Sequence, residues 1–154
     1  MIANEELRRN WRMNWLRSIQ EFADLDTQRR LWLDPDVPNR HYTFVEYMCS
    51  YFDDLAVFDD ASVSGDAYAV ARAQALVSAE EAAAVEPFHA TLDAYEAPAG
   101  AYDHEAMLAD PKWRSVVAAA KAAQSALMPL NHDPEERRAL TQVSIHAVEA
   151  GANG

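Results

Sequence analysis

The side chains in this sequence that could do chemistry are five histidines, one cysteine and two pairs of adjacent aspartates. The histidines are His41, His89, His104, His132 and His146. A helical metal site wants two ligands on one face, as in a His-Glu-x-x-His run, and no two of these histidines stand four apart. Cys49 has no Lys, Arg or His within a helical turn to lower its pKa, and its neighbours are Tyr, Met and Phe. It reads as a small buried hydrophobe rather than a nucleophile. The aspartate pairs are Asp53-Asp54 and Asp59-Asp60. Four carboxylates could hold a hard divalent cation, which prefers oxygen ligands. The run Asp60-Ala61-Ser62-Val63-Ser64-Gly65 nevertheless lacks the later acidic ligand of a calcium loop. With four glycines in the chain, no Gly-rich phosphate loop is present.

Three further patterns fall short of a catalytic motif. His132-Asp133 resembles the adjacent His-Asp pair of metal-dependent phosphohydrolases, but Asp133 precedes Pro134 and Glu136, so helix capping accounts for it. Helical nucleotide hydrolases that hold magnesium repeat Glu-x-x-Glu, and no clean instance occurs. Ser62, Ser64 and Ser78 sit in no nucleophile-elbow pattern. No catalytic residue, cofactor site or metal site is assigned.

Charge is the stronger signal. The formal net charge is -12, and it is concentrated. Residues 41–110 hold fourteen acidic residues and one basic residue, Arg72, whereas residues 1–40 balance at seven of each. An acidic surface argues against nucleic acid, because phosphate binding needs Lys and Arg to release counterions. It suits a basic protein partner, since opposite fields speed encounter. A single cysteine excludes an internal disulfide and agrees with a reducing cytoplasm. The N-terminus lacks the apolar core of a signal peptide, and no apolar run reaches the length of a membrane span.

These residues need a scaffold, and the sequence predicts an all-α one. Gly is scarce and Ala abundant, a balance that favours helix. Leu7, Trp11, Trp15, Ile19 and Phe22 recur at three- and four-residue spacing, which predicts a first helix over 4–23 with Asn4 as N-cap. Residues 24–33 either continue it or start a short second helix behind an Asp cap. The stretch 34–40 holds two prolines and is a break. Thr43 and Glu46 fit a capping box that opens a helix over 43–55, apolar nearly all round and therefore predicted to lie at the centre of the bundle. Ala61 to Asp66 is a loop. Residues 68–76 read as helix, with a strand as the minority reading. Ser78 and Glu81 form a second capping box, and the helix behind it either kinks or splits at Pro87. Asp110-Pro111 and Asp133-Pro134 each start a helix, the first stopping before Pro129 and the second running to Gly151. The expectation is one domain over residues 1–154, a bundle of five to seven helices around the 43–55 helix. Helices 4–23 and 111–128 are expected to pack on it.

The function this points to is a non-enzymatic acidic module that binds a basic protein, as an immunity protein or antitoxin blocks a nuclease-like toxin. The expected partner-binding residues are Asp53, Asp54, Asp59, Asp60, Glu46, Tyr47 and Tyr51, with Phe58 and Tyr68 as further exposed aromatics. An aromatic anchor inside a charged rim is what interfaces favour. The alternative is a metal-dependent hydrolase drawing Asp and His residues from several helices.

Overall fold

The computed structural model describes residues 5–33, 43–56 (side chains to Asp53) and 68–143. Asn4, His41, Phe58, Asp59, Asp60, Gly65, His146 and the expected helical positions Ala147 and Val148 lie outside these residues, as does the side chain of Asp54. The described residues form eight α-helices and no strand: α1 Glu5–Ala23, α2 Leu25–Leu33, α3 Phe44–Ala56, α4 Ala69–Ala73, α5 Ala79–Asp93, α6 His104–Ala109, α7 Pro111–Leu127 and α8 Pro134–Thr141. A 3-10 turn, Met128–Leu130, links the last two. The all-α bundle is as predicted. The helix count exceeds seven because α6, a six-residue piece, is not expected from the sequence.

Asp24 decides the first ambiguity. Its carboxylate accepts from the Thr27 amide at 3.1 Å and the Thr27 hydroxyl at 2.6 Å, so it caps a separate α2. Asp103, Asp110 and Asp133 cap α6, α7 and α8 in the same way. At α5 the capping box is complete: Glu81 N–H donates to the Ser78 hydroxyl, and Ser78 N–H donates to the Glu81 carboxylate. At α3 only half of it forms. Glu46 reaches back to the Thr43 amide at 2.7 Å, and the Thr43 hydroxyl donates to that carboxylate instead of capping an amide. Pro87 neither splits nor ends α5, which runs unbroken from Ala79 to Asp93. Residues 68–76 contain α4 and a turn, not a strand. The final helix stops at Thr141 because Gln142 turns extended, leaving Val143 exposed beyond it.

The centre of the bundle is α1, not α3. α1 packs on α2, α3, α7 and α8, while α5 lies along α7. The reason is visible along its length: Trp11, Trp15, Leu16, Ile19 and Phe22 are all buried. Phe22 meets Tyr47, Tyr51, Phe88 and Trp113, so three other helices touch one ring at centroid distances of 5.5 to 6.1 Å. α3 buries Phe44, Tyr47 and Tyr51, but Val45, Met48 and Phe52 are only partly covered and Cys49 is exposed. The thiol expected in the core is therefore at the surface. Its apolar sequence neighbours lie on other faces of the same helix.

One turn carries backbone strain. Ala75 has φ +58°, the left-handed region. It closes α4, with Ala75 N–H donating to Arg72 O and Leu76 N–H to Ala71 O. This double bond pattern normally recruits glycine. Arg8 holds the turn from outside through the carbonyls of Gln74 and Ala75. Ala75→Gly is expected to raise the unfolding free energy by about 0.5–1 kcal/mol, readable by urea denaturation, because the Cβ penalty is removed.

Candidate functional site: exposed carboxylates and two buried polar clusters

Among the described residues, the predicted site residues do not come together as a surface; Asp59, Asp60 and the side chain of Asp54 lie outside these residues. Tyr47 and Tyr51 are 2 % and 1 % exposed, and Tyr68 is equally enclosed. An aromatic that faces the core cannot anchor a partner, so these three leave the expected interface. Asp53 is exposed and Glu46 half-buried in its cap.

Tyr51 and Tyr68 instead form a hydrogen-bonded chain. The Trp15 indole N–H donates to the Tyr68 oxygen at 2.9 Å, the two phenols lie 2.7 Å apart, and Tyr51 lies 2.9 Å from His89 Nδ1. Burial, and then the neighbouring Tyr68, push the Tyr51 phenol well above its ordinary range, and burial does the same to Tyr68. Both are neutral hydroxyls at any working pH. They join α1, α3 and α5 and satisfy one another's polar atoms inside an apolar core. That is a structural role, and it explains why Tyr rather than Phe occupies these positions.

A second cluster was not foreseen. Arg12 on α1 sits between Glu81 of α5 and Glu136 of α8, with Nη2 2.8 Å from Glu81 and 3.0 Å from Glu136. It also donates to the Leu76 carbonyl and to Asn131 Oδ1, and its guanidinium lies 5.7 Å from the Trp15 ring centre. Burial alone would lower the arginine's pKa, but the two glutamates outweigh it and hold the charge in place. Burial likewise acts to raise Glu81, and the bonds from Arg12 and Ser78 overcome it, so Glu81 rests below its ordinary value. Arg9 extends the pairing toward solvent through Asp133 and Glu135. Position-by-position reading has one handle on this cluster. Arg8 and Arg12 are one turn apart on α1, and their partners include a capping glutamate.

The acidic surface is where the sequence places its charge. Between residues 73 and 111 there are eight acidic side chains and no Lys or Arg. Only Glu81 among them is buried; Glu80, Glu86, Asp93, Glu96, Asp103 and Glu105 are exposed and Asp110 is half-covered. In the α5–α6 connection, Tyr102 is 78 % exposed, the most exposed of the large hydrophobic side chains among the described residues. It stands between Gly100, at φ +97°, and the α6 cap Asp103. Tyr102 is the surface aromatic that the reading of α3 missed. The local signal was Pro98-Ala99-Gly100, a turn that cannot be covered by a continuing helix.

No group of three or more His, Cys, Asp or Glu among the described residues could hold a metal ion. No helix among them is long and apolar enough to cross a membrane. No family model, curated protein or solved structure matches the chain. The class defined is an all-α helical bundle.

Proposed function

We propose that this protein is a binding module without chemistry of its own, which offers its acidic face to a basic protein partner. An immunity- or antitoxin-type inhibitor is the functional type that matches this chemistry. The observation that supports the reading is Tyr102, an exposed aromatic on a connection flanked by Glu96, Asp103 and Glu105, in a stretch without a single basic side chain. Such an anchor within a charged rim gives affinity from the ring and rate from the charge. The polar clusters with unusual pKa values are consumed in holding helices together, which leaves the surface charge without an internal use.

The test is capture of partners from native host lysate in about 50 mM and about 500 mM salt, since screening at the higher value removes long-range attraction. A basic protein retained only at low salt is the expected result. Tyr102→Ala should weaken that complex by about 30-fold, the scale of an aromatic hot spot, without moving the melting temperature. Absence of any salt-sensitive basic partner sinks the reading.

A further inference from the structure

Four of the six arginines on α1 and α8 are taken by carboxylates or backbone carbonyls. Arg9 and Arg12 take carboxylates of α8 and its cap, Arg8 takes backbone carbonyls of the 74–76 turn, and Arg137 takes the carbonyls of Met128 and Asn131. Two arginines are left over. Among the described residues Arg17 has only Asn14 Oδ1, one turn away on its own helix at 3.3 Å. Arg138 has no carboxylate or carbonyl partner among the described residues. Both line the same groove between the two helices, about 290 Å³ in volume, together with Met13, Ala139 and Val143. Glu135 also borders it, but its carboxylate is engaged by Arg9.

The groove therefore pairs two guanidinium groups from different helices, neither with a carboxylate partner among the described residues, with an apolar wall. We propose that it binds a small amphipathic monocarboxylate, with the carboxylate held by Arg17 and Arg138 and the tail on Met13, Ala139 and Val143. Guanidinium groups are well matched to a carboxylate, whose two oxygens can each accept a charge-assisted bond. The size sets the ligand at the small end of the usual range for pockets, too small for a folded segment. The charge sets it as singly ionised, because a protein of net charge -12 opposes dianions more strongly than monoanions. The apolar wall selects against an inorganic anion. This site lies apart from the acidic connection at Tyr102 and shares no residue with it.

Calorimetric and NMR titrations of the full chain with hexanoate, hexanamide and inorganic phosphate test the proposal. Hexanoate should bind saturably, at least about tenfold more tightly than hexanamide, which keeps the tail and lacks the charge. Phosphate should bind more weakly than hexanoate. Arg17→Gln and Arg138→Gln should each reduce hexanoate affinity by about tenfold, while the melting temperature stays unchanged because neither side chain is buried. No saturable binding up to about 10 mM overturns the proposal. So does equal affinity for acid and amide, phosphate binding as tightly as hexanoate, or binding that survives both substitutions.

Discussion

Arg12→Ala is expected to destabilise the protein by about 3–5 kcal/mol, the cost of stripping one partner from a buried ion cluster. The side chains of Glu81 and Glu136 are 7 % and 13 % exposed, so neither can be fully rehydrated when the guanidinium is lost. Asn131 Oδ1 and the Leu76 carbonyl lose a donor in the same substitution. Chemical denaturation measures the loss. The triple variant Arg12→Met, Glu81→Gln, Glu136→Gln should be less damaged than Arg12→Ala, since it removes the stranded charges as well as their partner. Additive losses would show that the cluster does not act as a unit.

The same cluster sets a pH dependence. The folded protein holds the Glu81 carboxyl below its ordinary value of 4.5, so the group binds fewer protons folded than unfolded around that pH. Its contribution is complete above about pH 4.5 and is lost as pH falls through the lower folded value. Arg12 remains charged throughout and adds no slope of its own. The unfolding free energy of the wild type should therefore decline more steeply below about pH 4.5 than that of Glu81→Gln. Parallel curves would refute the assignment.

Trp113→Ala is the second large effect, also about 3–5 kcal/mol, because a fully buried indole leaves a cavity that its neighbours only partly fill. Trp113 is enclosed by Phe22, Trp32, Phe44 and Tyr95, whose ring centres lie 5.1 to 6.1 Å away. Its indole N–H also donates to Gln28 Oε1 at 2.9 Å, while the Gln28 amide donates to the carbonyls of Glu21 and Phe22. Trp113→Phe isolates that polar part. It keeps most of the ring contacts, leaves Gln28 without its donor, and should cost about 1–3 kcal/mol. If the two variants are equally unstable, the hydrogen bond outweighs the cavity.

What was legible in the sequence follows from how local each cause is. Caps were readable because donor and acceptor lie within three residues, as at Ser78–Glu81, Asp110–Lys112 and Asp133–Glu135. The apolar stripe of α1 was readable because period and burial coincide. α3 defeated the same reasoning. A helix apolar on every side gives no clue to which face is inward, so Tyr47 and Tyr51 were assigned to the surface and Cys49 to the core. The Arg12 cluster draws on residues 12, 76, 81, 131 and 136, and no window along the chain contains them. The charge of the 73–111 stretch was evident from composition, while the position of its aromatic depended on a turn.

That spread of partners also has a consequence for biosynthesis. α1 leaves the ribosome well before the carboxylate that completes the Arg12 cluster, since Glu136 lies 124 residues further along the chain. Until then the nascent chain carries a guanidinium with one of its two carboxylates and tryptophans with part of their cover. Closure between segments so distant in sequence is slow and comes late. Translational arrest before Glu136 should leave an intermediate that is sensitive to protease and bound by chaperones, and release of α8 should remove both properties in one step.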